Sequence, residues 1–187
     1  MSKFFNLLLL VFLILNISCS KEIKKENLII EKDLNSQVLE AYREGKNSLE
    51  MGDVIFAAKK FNEAEILFPQ SEWAPKSALM AAYAYYSQDY YNESVAELER
   101  FLFVYPGHKH TDYAYYLLGL SYYEQISDEK KDLQSIVKSK ENFSYLVKNF
   151  TYSEYAYDAN FKLDLINDIL ASKEMYIGRY YFEKKNG

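Results

Sequence analysis

Histidine is the side chain best suited to metal binding or acid–base chemistry near neutral pH, and this chain has two, His108 and His110. They lie two residues apart just after Pro106, a spacing that does not put both on one face of a helix. No cysteine or third histidine lies nearby, although zinc sites use three or four such ligands. We therefore expect a loop or helix-start role for the two histidines and no metal site.

Motifs for phosphate binding and nucleophilic catalysis are also missing. The six glycines form neither G-x-x-x-x-G-K nor G-x-G-x-x-G, the patterns that place backbone N–H groups around phosphates. No serine lies in a G-x-S-x-G elbow, and nothing singles out one pair of carboxylates for acid–base work. The sequence therefore predicts no enzymatic activity and no cofactor, and an envelope enzyme is the weakest of the hypotheses.

The cysteine has the most distinctive surroundings, because Cys19 is the only one in the chain. It follows Lys3, an apolar run over residues 7–15 and the small residue Ser18, which is the order of a signal peptide and its cleavage site. The apolar run is too short for a membrane-spanning helix, which needs about 20 residues. We expect residues 1–18 to be a lipoprotein signal peptide and Cys19 to carry a covalent lipid anchor.

The segment after Cys19 indicates in which membrane the protein is anchored. Ser20 stands where lipoproteins retained in the inner membrane typically carry Asp, so we expect a lipid-anchored protein of the outer membrane that faces the periplasm. Residues 19–36 are polar apart from the short apolar patch Leu28 to Ile30, and we interpret them as a lipidated Cys and polar tether. The net charge of −5, without a basic block, argues against a nucleic-acid partner.

Helices must position any binding site in residues 37–187. The chain is 49% hydrophobic and has nineteen tyrosines, but six glycines and three prolines provide little punctuation for strands and turns. An A-x₃-F motif, Ala57 and Phe61, is followed by Pro69, and a related segment ends 37 residues later at Pro106. This interval is close to the 34-residue period of the tetratricopeptide repeat.

Small residues recur with the same period, and a large residue lies in the second helix of each of the first three repeats. Gly45, Ala82 and Gly119 follow at intervals of 37 residues and should let the two helices of a pair approach closely, while Phe61, Leu98 and Phe143 fill the space between pairs. We expect an inserted loop between Glu124 and Ser139, and a fourth repeat from Ser153. The prediction is an all-α tetratricopeptide-repeat solenoid of antiparallel helix pairs, with about four repeats.

Three further groups of residues form a combination that generic tetratricopeptide proteins lack. The first is Tyr105-Pro106 with His108, the second is Asp112-Tyr113-Ala114 with Gly119-Leu120, and the third is Leu170-Ala171, Glu174 and Tyr180-Tyr181. With this combination, the chain resembles the BamD family (also ComL or YfiO) of outer-membrane assembly lipoproteins over essentially its whole length. The resemblance implies a non-catalytic component of the outer-membrane β-barrel protein assembly (Bam) complex. Its partners would be unfolded outer-membrane proteins, a BamA-like β-barrel insertase and other Bam lipoproteins.

Two features depart from the family pattern. Thr151 replaces the proline that usually ends the third repeat, and the chain stops at Gly187, where family members continue through a further helix pair or more. That C-terminal part is understood to dock on the insertase. Either this sequence is a fragment of a longer chain, or the contact with the insertase is rearranged here.

An aromatic groove is the predicted binding site. Aligned repeats place one set of side chains on the concave side: Tyr42, Lys46, Tyr83, Tyr86, Tyr113, Tyr116 and Tyr123. The family resemblance implies that the groove receives the C-terminal strand of unfolded outer-membrane proteins, with Lys46 or Arg43 facing its carboxylate. Each tyrosine could instead pack between helices, as Tyr85 and Tyr122 should by position.

A second binding role remains as an alternative: a tetratricopeptide lipoprotein that coordinates cell-envelope division or the peptidoglycan machinery. Such proteins usually carry a coiled-coil trimerisation segment before their repeats. No heptad run lies between Cys19 and Ser36, which counts against this alternative.

Overall fold

The structure, a computed structural model, describes residues 23–126 and 133–186, with side chains over residues 34–126 and 133–185. These residues form seven helices and no strand: α1 Ile23–Glu50, α2 Val54–Leu67, α3 Trp73–Tyr86, α4 Tyr91–Val104, α5 Thr111–Glu124, α6 Leu133–Asn149 and α7 Glu154–Asn186. The all-α prediction is confirmed. The predicted signal peptide, residues 1–18, and the lipidation site Cys19 lie outside the described residues.

The chain divides between Gln37 and Val38 into two compact units. Residues 19–36 were predicted as a lipidated Cys and polar tether, and the structure makes residues 23–36 of this segment helical. Their Lys, Glu and Leu content explains the helix, since these residue types favour helix wherever no Gly or Pro interrupts them. Among the described residues, no helix combines the length and the apolar composition needed to cross a membrane.

Individual glycine, aspartate and proline residues determine where the helices begin and end. Gly52 has a φ of 81°, which favours glycine, and the Asp53 side chain then caps α2 by accepting a hydrogen bond from the Phe56 N–H at 3.1 Å. α2 ends at Leu67 and α4 at Val104, each two residues before a proline. The predicted role of Pro69 and Pro106 in ending helices is therefore confirmed.

Helix pairs pack through one small and one large residue. A Cβ added to Gly45 would lie 2.9 Å from the Phe61 ring, and one added to Gly119 would lie 2.5 Å from the Phe143 ring. Ala82 and Leu98 are fully buried together in the second pair. The predicted close approach of helices at Gly45 and Gly119 is confirmed, while the Phe61 and Phe143 rings, which were predicted to fill the space between pairs, lie against the glycine of their own pair.

Three hydrophobic clusters run along the repeat domain, and each draws on three consecutive helices. The first joins α1, α2 and α3, the second α3, α4 and α5, and the third α5, α6 and α7. A helix pair therefore completes its core only when the first helix of the next repeat packs on it. This is the nearest-neighbour packing expected of a solenoid.

The C-terminal repeats differ from the prediction. α6 begins at Leu133, so the segment before Ser139 that was predicted as an inserted loop is partly helical, with Ile136 fully buried. α7 runs for 33 residues, and no second helix follows it within residues 154–186. No proline interrupts its periodic apolar pattern, so nothing ends the helix where a turn was expected. The described array is three helix pairs and one further helix.

Candidate functional site

The first helices of successive repeats bring five tyrosines together. α3 packs on α5, and α5 packs on α7. The Tyr113 and Tyr116 rings of α5 lie 5.1 and 5.3 Å from the Tyr155 ring of α7. The α3 tyrosines complete the group, which we call the tyrosine cluster: Tyr83, Tyr86, Tyr113, Tyr116 and Tyr155.

Burial raises the pKa of two tyrosines of the cluster, Tyr113 and Tyr116. Burial raises the pKa of Tyr113, and Tyr83, Tyr155 and Tyr86 raise it further. Burial also raises the pKa of Tyr116, whose hydroxyl donates a hydrogen bond to Asp158 Oδ2 at 2.6 Å. These phenols are therefore neutral at physiological pH. They offer flat apolar faces with hydroxyl groups, which suits binding of an extended peptide.

Access to the cluster is uneven. Tyr83 is 39% exposed, whereas Tyr86 is half-buried and packs against both the second and the third hydrophobic clusters. Tyr113 and Tyr116 are also half-buried. Tyr83 is therefore the member that a ligand can reach most readily.

Tyr42 was predicted to line the groove, but the structure places it in the core. It is 9% exposed, and its ring lies 5.3 Å from Phe61 and 5.0 Å from Trp73 in edge-on contacts. Burial raises its pKa. The prediction for Tyr42 is wrong, because the first residues of α3 cover the ring.

An inter-repeat junction explains the position of Tyr42. Tyr42, Leu79 and Tyr116 lie 37 residues apart, and each packs with an aromatic residue near the start of the next first helix. Tyr42 contacts Trp73, Leu79 shares a hydrophobic cluster with Tyr113, and Tyr116 stacks on Tyr155. Tyr116 is therefore both a junction residue and a cluster member.

The structure adds Tyr155, which sequence reasoning missed. Its signal was an aromatic residue followed by a buried alanine near the start of a first helix, as in Trp73-Ala74, Tyr113-Ala114 and Tyr155-Ala156. Reading this dipeptide across the repeats would have identified the residue.

Lys46 and Tyr123, the other predicted groove residues, lie apart from the cluster's ring contacts. Lys46 is exposed, and no hydrogen bond or ion pair joins it to the cluster in the described part of the chain. Tyr123 is half-buried, and Lys162 Nζ lies 5.1 Å from its ring centroid. Lys162 thus places a cation beside the predicted groove residue Tyr123. The sequence analysis did not single out Lys162.

The remaining predictions concern residues outside the cluster. His110 is the N-cap residue of α5, and the half-buried His108 ring lies 5.7 Å from Phe101, so the loop and helix-start role is confirmed. Tyr85 packs partly buried against the first hydrophobic cluster and Tyr122 against the second, as expected. Within the described residues, no three His, Cys, Asp or Glu side chains are grouped to hold a metal ion.

Comparison with known proteins gives consistent matches. The model of a family described as YfiO, outer membrane lipoprotein, matches residues 35–186. Outer membrane protein assembly factor BamD of Caulobacter vibrioides is 37% identical over 169 residues, which cover 90% of this chain and 54% of that relative. The Rickettsia prowazekii protein of the same name is 36% identical over 186 residues, covering 100% and 71%. The chain thus spans about half to seven tenths of these relatives.

Solved structures are similar in fold. The first tetratricopeptide domain of human RPAP3 has a TM-score of 0.55 at 17% identity, and covers 74% of this chain. The first tetratricopeptide domain of Spaghetti (RPAP3), bound to an HSP90 peptide, has the same TM-score at 15% identity and covers 73%. These similarities show that the helices form a tetratricopeptide array.

Proposed function

Because the chain belongs to the YfiO family of outer membrane lipoproteins, we propose that it is a non-catalytic component of β-barrel protein assembly in the outer membrane. It binds unfolded outer-membrane proteins and works with a BamA-like insertase and other Bam lipoproteins. A lipid on Cys19 holds it at the membrane, with the repeats in the periplasm. The observation that carries this proposal is that relatives matching nearly the whole chain are named assembly factors.

The tyrosine cluster is the proposed contact for the unfolded client. An extended strand places side chains of one face about 7 Å apart, so successive aromatic residues can pack beside rings on α3, α5 and α7. The phenol hydroxyls can hydrogen-bond the client backbone, which has no partner strand before it folds. Neutral phenols supply this contact without the cost of desolvating a charge.

A cation for the client carboxylate completes the proposed site. Lys46 and Arg43 were the predicted candidates, and both are exposed. Lys162 is a further candidate, since it lies over Tyr123 and forms no ion pair within the described residues. A carboxylate gains a charge-assisted hydrogen bond from such a lysine.

The test is a Tyr83→Ser substitution, which removes the most exposed ring of the cluster. We expect the variant to bind a labelled peptide, carrying the C-terminal strand of an outer-membrane protein, at least about fivefold more weakly, as for an aromatic anchor. Fluorescence anisotropy measures the affinity, and circular dichroism verifies that helical content is unchanged. Tyr152→Ser is the matched control, because Tyr152 is fully exposed in the turn before α7.

Two results would count against the proposal. Equal affinities for Tyr83→Ser and Tyr152→Ser would remove the tyrosine cluster as the client site. A pull-down from detergent-solubilised membranes with the lipidated chain should retain a β-barrel insertase and companion lipoproteins. Retention of division or cell-wall proteins in their place would overturn the assembly function.

A further inference from the structure

A cavity of about 360 Å³ lies where the start of α3 meets the loop between α4 and α5. Four of its seven lining residues are lysine or histidine, and one is acidic. The lining residues are Glu72, Trp73, Pro75, Lys76, His108, Lys109 and His110. This site is separate from the tyrosine cluster and does not depend on the client-binding proposal.

Lys76 and Lys109 of the cavity have no carboxylate partner in the part of the chain that the structure describes. Lys76 Nζ lies 4.5 Å from the Trp73 ring centroid and 5.2 Å from that of Tyr42, so two aromatic faces hold the ammonium group. Within the described residues, neither Lys76 nor Lys109 forms an ion pair. The one acidic lining residue, Glu72, is exposed at the N-cap of α3 and makes no capping hydrogen bond through its side chain. Positive charge therefore exceeds negative charge around the cavity.

The histidines add donors and a further sign of positive potential. His108 Nδ1 accepts a hydrogen bond from the His110 N–H at 3.3 Å, which leaves Nε2 for another partner. Burial lowers the pKa of His108, and the neighbouring His110 and Lys109 lower it further. A bound anion would offset the positive charges of Lys76 and Lys109, which line the same cavity.

The kind of anion follows from the donors. The residues that line the cavity offer lysine ammonium groups and histidine ring N–H groups, and none of them is arginine. Ammonium groups act as compact charges that suit the several oxygens of a phosphate. Trp73 and Pro75 supply an apolar wall for an organic group attached to that phosphate. We propose that this cavity binds a phosphate-bearing anion, presented either by a small soluble phosphate ester or by the headgroup of an anionic phospholipid.

Trp73 makes the proposal directly measurable, because it is the only tryptophan in the chain. Titrating the purified full chain with inorganic phosphate or glycerol 3-phosphate should change its fluorescence in a saturable way, whereas sodium chloride at equal ionic strength should not. Lys109→Gln should weaken binding roughly tenfold, the effect of losing one charge-assisted hydrogen bond. Lys184→Gln, an exposed position at the end of α7, is the matched control and should bind as the parent does.

A second measurement separates the two sources of phosphate. Sedimentation of the full chain carrying Cys19→Ser, which removes the proposed lipid, with phosphatidylglycerol vesicles and with phosphatidylcholine vesicles tests the headgroup. Vesicle binding that Lys109→Gln weakens, without a response to glycerol 3-phosphate, would support the proposal and assign a lipid source. A saturable, Lys109-dependent response to glycerol 3-phosphate would support a soluble ester. The proposal is overturned if neither probe binds, or if Lys109→Gln and Lys184→Gln behave alike.

Discussion

Gly119 and Phe143 form a contact in which the absence of a side chain on one helix makes room for a ring on the other. Gly45 and Phe61 repeat this arrangement in the first pair, while the second pair uses Ala82 with the smaller Leu98. The two contacting side chains thus have roughly the same summed volume in each of the three helix pairs, as dense interior packing requires. The size of the side chain on one helix therefore limits the size that the facing side chain can have.

A Gly119→Ala substitution should therefore destabilise the fold. The new Cβ would lie 2.5 Å from Phe143 Cε1 in a fully buried position, and we expect the free energy of unfolding to fall by about 1–3 kcal/mol despite the better helix propensity of alanine. Urea unfolding followed by circular dichroism measures the change.

The double variant Gly119→Ala/Phe143→Leu should recover part of this loss, since it recreates the Ala82 and Leu98 combination. Gly178→Ala is the control: nothing lies within 4 Å of its added Cβ, so stability should stay level or rise by up to about 1 kcal/mol. Additive effects of the two substitutions in the double variant would contradict the proposed coupling.

At the scale of elements, a charged network joins the second helices of the first two pairs. Glu65 of α2 is buried, and its two carboxylate oxygens each accept a 2.7 Å hydrogen bond from the Arg100 guanidinium of α4. The Tyr105 hydroxyl donates to the same carboxylate at 2.8 Å. Hydrogen bonding to Glu65 is the largest cause that raises the pKa of Arg100. The network fixes the register between the two helices.

Arg100→Met should leave a buried carboxylate without its cation. We expect a loss of about 2–4 kcal/mol in the free energy of unfolding, at the lower end of that range because the Arg100 side chain is 39% exposed. Adding Glu65→Gln should restore part of the stability by removing the buried charge. Chemical denaturation of the two variants measures the coupling.

Lys138→Met provides the comparison for an exposed ion pair, since Lys138 and Glu141 are 46% and 58% exposed. It should change stability by less than about 0.5 kcal/mol. An Arg100→Met effect no larger than this would show that the α2–α4 network contributes little.

Across the whole molecule, the abundance of tyrosine links stability to alkaline pH. Burial raises the pKa of Tyr42, Tyr86, Tyr113 and Tyr116 above the ordinary value of 10.0, and raises that of Tyr122 to about 12. Above pH 10 the unfolded chain therefore loses phenol protons that the folded chain keeps. The unfolded state binds fewer protons, so stability falls as pH rises.

We expect stability to change little through tyrosine ionisation below pH 9 and to fall progressively above pH 10. Urea unfolding at several pH values measures the trend, and ultraviolet absorbance of phenolate in the folded protein should show titration above pH 10. Tyr113→Phe should make the decline shallower, because it removes one group whose pKa is raised by burial. An identical decline in that variant would contradict the assignment.

The repeat architecture could be predicted from the sequence because its main contacts obey a fixed spacing. Gly45, Ala82 and Gly119 recur with the period of one helix pair, and the second helices of the first two pairs, α2 and α4, end two residues before Pro69 and Pro106. These signals are local or periodic, so no long-range information is needed to read them. Helix formation before Val38 and the length of α7 were missed, since neither segment contains a residue that marks a boundary.

The role of each tyrosine depended on the tertiary structure. Tyr42 and Tyr83 were both predicted to line the groove, but Trp73 covers the first ring, while the second stays 39% exposed. The pairing of Glu65 with Arg100 likewise joins residues 35 positions apart that would each pass for surface charges. A repeat period specifies which helices stack, whereas the exposure of a side chain depends on the residue that the next repeat places against it.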